Sequence, residues 1–286
     1  MDHSLQALAV WKVPTDLIGI FTDIDDTLTT EGAVTADALA ALGALKAAGL
    51  HVIPITGRPV GWSERFAAAW PVDAIVAENG AVALRLAPQE ISDKIGLQRL
   101  SDKRRKLSKL YQQDAATRAA NFTAMHAVLE HIEREVPQAR RAQDSAGRET
   151  DIAIDHSEFT HLPQSAIDAC VATMRAAGMS ASVSSIHING WFGAHNKWEG
   201  ARWIVRELFG RELAQESARW VYVGDSTNDQ IMFEHFEHSV GVANIARFVP
   251  QLTHLPRFVT TGERGAGFAQ VARHVLAALK QQAPAA

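Results

Sequence analysis

Short apolar runs alternate with helix-like patterns through the first third of the chain. The apolar runs are typical of buried strands, and they cover residues 17–21, 51–55, 74–77 and 81–84. Apolar side chains at helical spacing fill the segments between the first three strands, over residues 35–48 and 59–70. Strand–helix alternation of this kind predicts a parallel sheet with helices on both of its faces.

The first predicted helix has clear signals at both ends. Thr35 is a residue type that caps helix N-termini, and Gly49 is one that ends helices. Between them, Leu39, Leu42 and Leu45 are predicted to lie on one buried stripe of the helix. Pro59 marks the start of the second helix in the same way, because proline suits the first turn.

The middle of the chain follows a different pattern. A long helix is predicted where apolar side chains recur at helical spacing: Phe122, Met125, Leu129, Ile132 and Val136. Strand-like stretches at 151–154 and 182–188 flank a further helix over 163–177. We predict that residues 85–190 form an α+β domain inserted into a larger one made of residues 1–84 and 191–286.

The α/β alternation resumes after the predicted insert. Helices are expected over residues 198–208, 230–236 and 267–279, and buried strands over 220–223 and 239–242. The predicted fold class is therefore α/β: a Rossmann-like, doubly wound core around a parallel sheet, with an inserted α+β domain.

Acidic and hydroxyl side chains follow several of the predicted strands. They are Asp23 and Asp25 after the first strand, Thr56 after the second, and Asp225 and Asp229 after the strand at 220–223. Ligands of open α/β sheets bind where the carboxyl ends of the strands meet, so these residues are expected to lie close together. Lys197, just before a helix, is expected to join them.

Four of these side chains suit phosphoryl transfer. An ionised Asp23 could attack phosphorus and carry the phosphoryl group. Asp25 could protonate the leaving oxygen and later take a proton from water. Thr56 could offer its hydroxyl and amide to a phosphate oxygen, and Lys197 could offer a positive charge to the phosphate and to Asp23.

The remaining residues suit a cation and the phosphate bound beside it. Asp225 could complete a site for Mg²⁺, which prefers carboxylates, water and phosphate oxygens. Asp229 is expected to contact the ligands of the cation rather than the cation itself. Gly57, which follows Thr56, and Asn228, which precedes Asp229, are expected to contact the phosphate.

Together these segments resemble the four motifs of the haloacid dehalogenase superfamily of phosphohydrolases. In chain order they are Asp23-Ile24-Asp25-Asp26-Thr27, Thr56 in Ile55-Thr56-Gly57-Arg58, Lys197, and Gly224-Asp225-Ser226-Thr227-Asn228-Asp229. The resemblance implies that Mg²⁺ is held by the Asp23 carboxylate, the Asp25 main-chain carbonyl and Asp225. It covers the whole chain, and its specific motifs lie in the predicted core.

The predicted insert resembles the large α/β (C2-type) cap of one subgroup, subclass IIB. Asn79-Gly80 before the insert, and the length and place of the insert, carry this likeness. The subgroup includes sucrose-phosphate, trehalose-phosphate and mannosylphosphoglycerate phosphatases and phosphomannomutase, and many members have glycine where this chain has Asp26. The resemblance implies a Mg²⁺-dependent phosphatase acting on a small phosphorylated metabolite, above all a sugar phosphate.

Three other functions use similar residues. A phosphomutase would return the phosphoryl group from Asp23 to a second substrate oxygen instead of to water. A phospho-accepting signalling domain of the receiver type also uses aspartates, a threonine and a lysine, but in another order and in a shorter chain. A catalytically inactive sugar-phosphate-binding protein would not require every chemical position to be filled, as it is here.

Composition and net charge bear on the class of protein, its binding partners and its cellular compartment. The chain has 286 residues, of which 47% are hydrophobic and 21% charged, as in globular proteins that can hold two domains. A net charge of −4 gives no overall attraction to nucleic acid or to an anionic membrane. With one cysteine, Cys170, and no apolar run long enough to span a bilayer, we expect a cytoplasmic protein. A monomer or a homodimer is expected.

Two charged features lie outside the motifs. Residues 94–109 contain seven basic side chains and one acidic one, a pattern typical of a solvated helix face but also able to face a phosphorylated substrate. Arg58 lies two residues after Thr56 of the second motif. The sequence does not decide whether its role is structural or a contact near the site.

Overall fold

The structure, a computed structural model, describes residues 5–87 and 106–282. Its strands are β1 (Gln6–Ala7), β2 (Gly19–Thr22), β3 (Thr29–Thr30), β4 (Ala33–Val34), β5 (His51–Pro54), β6 (Ile75–Ala77), β7 (Val82–Leu86), β8 (Leu107–Tyr111), β9 (Arg140–Arg141), β10 (Ile152–Asp155), β11 (Ser180–Val183), β12 (His187–Trp191), β13 (Trp220–Gly224), β14 (His238–Gly241) and β15 (Phe258–Val259). Its α-helices are α1 (Ala36–Ala47), α2 (Val60–Ala69), α3 (Ala115–Glu135), α4 (Gln164–Ala176), α5 (Lys197–Phe209), α6 (Leu213–Glu216), α7 (Gln230–His235) and α8 (Arg264–Gln282).

A six-stranded parallel sheet forms the centre of the molecule. Its strand order is β1-β15-β14-β13-β2-β5, which confirms the predicted parallel α/β core. Strands β2 and β13 are neighbours, with Thr22 opposite Val223 at their carboxyl ends. The Asp23 amide continues this pairing by donating to the Val223 carbonyl at 2.8 Å. The segments that follow the two strands are thereby placed side by side.

Helices cover both faces of this sheet. Successive strand residues point to opposite sides, so apolar side chains on both faces need a helix to pack against. Ile20 belongs to one apolar cluster with side chains of α1, α2 and α8. Its neighbour Phe21 belongs to a second cluster with side chains of α5 and α7. Both residues are fully buried, and burial of a side chain of this size contributes about 1.5–3 kcal/mol.

Helix α1 begins and ends where predicted, but the set of leucines on its buried face differs from the prediction. The Thr35 hydroxyl accepts a hydrogen bond from the Ala38 amide, as an N-cap does. Leu42 and Leu45 are fully buried, but Leu39 is 41% exposed, so its predicted place on the stripe is wrong. Each step of three residues falls about 60° short of a full turn. Leu39 therefore lies about 120° from Leu45, and Ala38 takes the buried position instead.

A second module, residues 115–191, is built around an antiparallel sheet of order β11-β12-β10-β9. Helices α3 and α4 supply its apolar core with Met125, Leu129, Ile132, Ile167 and Cys170. Strand β8 precedes this module and pairs with β7, which in turn pairs with β6. The division into residues 1–84 with 191–286, and 85–190, remains a prediction.

One predicted strand of the second module is wrong. Residues 182–188 do not form a single strand, because β11 ends at Val183 and β12 begins at His187. The Ser184 hydroxyl accepts hydrogen bonds from the amides of Ile186 and His187, which closes a tight turn between the two strands. The short strands β1 and β15 and the hairpin β3–β4 are not among the sequence predictions. None of the helices in the described part of the chain is long and apolar enough to cross a membrane.

Candidate active site

Acidic residues and a lysine meet at the carboxyl ends of β2 and β13. Asp23 directly follows β2, Asp225 directly follows β13, and Lys197 is the first residue of α5. Carboxylate oxygens of Asp23, Asp225 and Asp229 all lie within 4.8 Å of one another. The Lys197 Nζ lies 3.0 Å from Asp23 Oδ1 and 2.7 Å from Asp229 Oδ1. The expected meeting of these distant segments is therefore present in the fold.

Asp229 organises the loop after β13 and the lysine together. Its Oδ2 accepts hydrogen bonds from the amides of Asp225 at 2.8 Å and Ser226 at 3.0 Å. Its Oδ1 accepts from Lys197 and from the Tyr222 hydroxyl, and both donors are buried. Because four donors occupy this carboxylate, its principal effect is to hold the loop and the ammonium group in place.

Tyr222 was not predicted as a site residue, although the sequence carries a weak signal for it. It lies inside the apolar run of β13, and it is fully buried. A buried tyrosine hydroxyl usually requires a hydrogen-bond partner, and the nearest acidic segment along the chain contains Asp229.

Burial strongly affects the carboxylates of the cluster. Burial raises the pKa of Asp23 to about 7, although Lys197 lowers it. Burial, together with the charges of Asp229 and Asp23, raises the pKa of Asp225 well above its ordinary value. Asp23 Oδ1 accepts no well-oriented hydrogen bond within the described residues, even from the nearby ammonium. The cluster thus holds more negative charge than Lys197 neutralises, which favours a bound cation.

The pKa of Lys197 is also raised, but by its neighbours and not by burial. Burial alone would lower its pKa, but the carboxylates of Asp229 and Asp23 raise it above the ordinary value of a lysine. Its side chain is only 1% exposed. The lysine therefore remains charged, and it offers a fixed positive charge next to Asp23.

Asn244 links the first and the last acidic segments. Its side-chain amide donates to Asp225 Oδ2 at 3.1 Å and to the Asp26 carbonyl at 3.0 Å. The Thr27 hydroxyl adds a longer bond of 3.4 Å to Asp225 Oδ1. Asn244 was missed by the sequence reasoning, since no pattern around it distinguishes it from a loop asparagine.

Asp26 shares Arg247 with the cluster, since Arg247 Nη2 also lies 3.5 Å from Asp225 Oδ2. The backbone of Asp26 has φ of 53°, in the left-handed region that favours glycine. The Asp26 carboxylate lies 2.7 Å from Arg247 Nη2 and 3.1 Å from Arg264 Nε, so it forms ion pairs at the rim of the site.

Asp25 lies outside the carboxylate cluster and is paired with Arg58. The Arg58 Nε donates to both carboxylate oxygens of Asp25, at 3.0 and 2.9 Å. The other guanidinium nitrogens reach Asp144 and Glu158 in the second module, at 3.2 and 2.8 Å. The sequence left the role of Arg58 open. In the structure, Arg58 connects Asp25, the predicted acid/base, to the second module.

The loop after β5 places Thr56 and Gly57 beside the second module. Thr56 is fully buried, and its hydroxyl accepts a hydrogen bond from the Arg58 amide at 3.0 Å. The Gly57 carbonyl accepts from Arg148 at 3.0 Å and from Asn189 at 3.4 Å. A Cβ at position 57 would lie 3.2 Å from Asn189 Oδ1, so a larger residue would press on the second module.

Asn228 lies on the Lys197 side of the cluster. Its side-chain oxygen accepts a hydrogen bond from the Ser226 hydroxyl at 2.9 Å. Both Asn228 and Lys197 line a cavity of about 240 Å³, together with Asn79, Trp191 and His195. Burial lowers the pKa of His195 to about 4, so this imidazole is neutral at pH 7.

A larger cavity of about 960 Å³ opens on the other side, between the strand ends and the second module. Asp25 and Arg58 lie in its wall, and the second module contributes His156, Glu158 and the 62% exposed Phe159. The described part of the basic run does not line this cavity. There Lys109 forms ion pairs with Glu64 and Glu149, and residues 94–105 lie outside the described residues.

Comparison with known proteins identifies relatives of this fold. A family model described as haloacid dehalogenase-like hydrolase matches residues 20–176, more than half of the chain. No curated protein sequence matches the chain.

Several solved structures share the fold at low identity. One is protein 0175 of Thermoplasma acidophilum, with a TM-score of 0.65 and 15% identity over 91% of this chain and 99% of that one. Another is the sucrose-phosphatase of Synechocystis, solved with sucrose and phosphate, with a TM-score of 0.61 and 15% identity over 90% and 97% of the two chains. A third is a haloalkanoate-superfamily phosphatase of Bacteroides thetaiotaomicron, with a TM-score of 0.60 and 15% identity over 94% and 99%.

Proposed function

Because the chain belongs to the haloacid dehalogenase-like hydrolases, we propose that it is a Mg²⁺-dependent phosphatase of small phosphorylated metabolites, with Asp23 as nucleophile. The observation that carries this proposal is the buried group of Asp23, Asp225 and Lys197 at neighbouring strand ends. A sugar phosphate is the favoured substrate, since similar folds include a phosphatase that was solved with sucrose and phosphate.

In the first half of the reaction, an Asp23 carboxylate oxygen forms a bond to phosphorus while the bond from phosphorus to the leaving oxygen breaks. Asp25 donates a proton to that oxygen, which releases the alcohol. In the second half, Asp25 takes a proton from water as the water oxygen attacks phosphorus, and the aspartyl-phosphate bond breaks. Inorganic phosphate leaves, and Asp23 and Asp25 return to their starting states.

The phosphate is held by groups around Asp23. We assign Lys197 to the phosphate oxygens as a fixed charge, and Thr56 and Gly57 as donors from the loop after β5. Asn228 is assigned to the same group from the opposite side. Asp229 keeps Lys197 in position through its 2.7 Å contact, and therefore acts through the lysine.

The residues present fit a Mg²⁺ ion. Carboxylate and carbonyl oxygens are the ligands that this cation prefers, and uncompensated negative charge surrounds Asp23 and Asp225. We propose that the Asp23 carboxylate, the Asp25 main-chain carbonyl and the Asp225 carboxylate hold the ion, with Asp229 outside its direct ligands. When bound, the ion neutralises charge that develops on the phosphoryl oxygens.

Residues 85–190 are proposed to act as the cap of the enzyme. The second module supplies one wall of the 960 Å³ cavity, and Asp25 lies in the opposite wall. A wall of this kind excludes bulk water from the leaving group beside Asp25 and selects that group by shape and hydrogen bonding.

The first test is phosphate release from a panel of sugar phosphates and small phosphomonoesters, with Mg²⁺ and with a chelator. We expect release in Mg²⁺, none in the chelator, and a preference for one class of sugar phosphate. Conversion of a substrate to its isomer without net phosphate release would replace the phosphatase with a phosphomutase. Absence of turnover for every substrate would contradict the proposed function.

The second test is binding of Mg²⁺ in the absence of any substrate. Saturating Mg²⁺ is expected to raise the thermal midpoint, because a ligand at one hundred times its Kd stabilises the native state by about 2.7 kcal/mol. Asp225→Asn is expected to weaken Mg²⁺ affinity by about 10- to 100-fold or more. Glu133→Gln, in an exposed ion pair with Arg141, serves as control and should leave the midpoint shift unchanged. Equal affinity in Asp225→Asn would remove Asp225 from the proposed ligands.

A further inference from the structure

Arg58 lies among three carboxylates from two parts of the molecule. Its Nη2 is 2.9 Å from Asp25 Oδ1 and 2.8 Å from Glu158 Oε1, and its Nη1 is 3.2 Å from Asp144 Oδ2. The side chain is only 6% exposed. Burial alone would lower the pKa of Arg58, but Asp25 and Glu158 raise it above its ordinary value. The guanidinium is therefore a permanent positive charge shared between Asp25 and the second module.

The two carboxylates of the second module are themselves fixed by further contacts. Asp144 accepts from Arg148 at 3.0 Å, and Glu158 lies 2.9 Å from His187 Nε2. The loop that carries Glu158 is held by Asp155, whose side chain accepts three hydrogen bonds of 2.9–3.0 Å from the amides of Glu158, Phe159 and Thr160. Glu158 therefore meets Arg58 from a rigid loop, which favours a single orientation of the guanidinium.

We propose that Arg58 is a positioning residue for Asp25, and that Glu158 and Asp144 make this positioning depend on the second module lying against the strand ends. The proposal rests on the proposed function, in which Asp25 transfers protons. The fork of a guanidinium fixes the plane of a carboxylate, and this plane determines where the Asp25 oxygens lie relative to the leaving group.

Glu158 and Asp144 hold Arg58 from the side of the second module. With both carboxylates in place, the nitrogens of Arg58 have partners on either side, and the side chain is confined to one rotamer. If the second module moved away, Asp25 alone would bind the guanidinium, through Nε and Nη2, and Nη1 would lose both of its carboxylate partners. Proton transfer by Asp25 would then be efficient only while the second module closes the cavity.

Because Glu158 also lines the 960 Å³ cavity, it could instead contact the leaving group directly. The two roles differ in what Glu158 does once Arg58 is removed. A residue that acts through Arg58 loses its effect when Arg58 is absent, whereas a residue that contacts substrate keeps it. A double-mutant cycle separates the two roles.

The experiment measures kcat and KM of Arg58→Ala, Glu158→Gln and the double variant on the best sugar phosphate from the panel. We expect Arg58→Ala to lower kcat by about 100-fold with KM changed less than about threefold, since a misplaced catalytic group has effects of this size. Glu158→Gln is expected to lower kcat by about tenfold, and the double variant to match Arg58→Ala within about threefold. Glu133→Gln, at a partly exposed residue of the second module outside the cavity lining, serves as the unchanged control.

Multiplicative effects, with a loss of about 1,000-fold in the double variant, would overturn the proposal, because Glu158 would then act independently of Arg58. A KM effect larger than the kcat effect in Glu158→Gln would overturn it as well. If the wild type releases no phosphate at all, the proposed function fails. If the wild type is active and the effects of the two substitutions multiply, only the proposed role of Arg58 is refuted.

Chemical rescue guards against a purely structural effect of Arg58→Ala. Added guanidinium ion is expected to restore kcat of this variant by about fivefold or more, because it can occupy the space between Asp25 and Glu158. The rescue should be weaker in the Arg58→Ala, Glu158→Gln double variant, which lacks one of the two carboxylates. Arg58→Lys provides a folded variant that keeps the charge but not the fork, and it should remain at least about tenfold below wild type in kcat. Wild-type kcat in Arg58→Lys would overturn the proposal.

Discussion

Asp23→Asn is expected to eliminate phosphate release while the protein remains folded. An amide cannot form the bond to phosphorus that the carboxylate forms, so a loss of about 10⁴-fold or more in kcat is expected. Without a cation, stability should not fall, because burial already raises the pKa of Asp23 to about 7. A neutral side chain of the same shape removes the unfavourable burial of its charge. The measurement is phosphate release together with thermal unfolding.

Asp26→Asn is the matched control for this prediction. It makes the same chemical change three residues along the chain, at a carboxylate that pairs with Arg247 and Arg264. Asparagine tolerates the left-handed backbone at this position, so the local fold should persist. Its kcat should stay within about tenfold of wild type, because the variant weakens ion pairs of partly exposed arginines and leaves Arg247 within 3.5 Å of Asp225. Equal losses in the two variants would contradict Asp23 as the nucleophile.

Lys197→Met is expected to damage both stability and activity. The ammonium lies 3.0 Å from Asp23 and 2.7 Å from Asp229, and all three side chains are almost fully buried. Removing one partner from a buried ionic group leaves its carboxylates uncompensated, which typically costs 3–5 kcal/mol, so we expect a loss of about 4 kcal/mol in unfolding free energy. Loss of a charge from the phosphate site should lower kcat by about 10³-fold.

Denaturant unfolding and steady-state kinetics of the same preparations check this prediction. Lys109→Met is the control, since Lys109 forms ion pairs with Glu64 and Glu149 at a partly exposed site. Exposed pairs contribute little, so the control should lose less than about 1 kcal/mol and no activity. If Lys197→Met were as stable as this control, the buried lysine would not compensate the carboxylates as the geometry indicates.

Much of the fold and of the site could be predicted because strand ends follow from local sequence. Asp23 and Asp225 each follow a short apolar run, and parallel strands bring their carboxyl ends to one edge. The neighbouring positions of β2 and β13 then decide that the two aspartates meet. None of this needs detailed knowledge of packing, since it depends on the direction of the strands alone. The catalytic and ligand roles assigned to the site residues remain predictions.

Other features depend on tertiary contacts that no local pattern encodes. Asn244 reaches Asp225 from a short helix that lies between β14 and β15 along the chain. The partners of Arg58 come from residues 86 and 100 positions away, in a module whose docking cannot be derived from periodicity. The error over residues 182–188 has another cause, because a serine turn interrupts a segment whose composition suits a continuous strand.

The position of β2 between β5 and β13 has a consequence for the order in which the protein folds. Strand β13 begins at Trp220, so β2 lacks one neighbour until more than three-quarters of the chain has been synthesised. Among the described residues, strands β9–β12 pair with one another and are complete at Trp191, so the second module can fold earlier. A nascent chain that ends before β13 therefore carries Asp23 without the loop that bears Asp225 and Asp229. The proposed activity is therefore expected only after β13 has paired with β2.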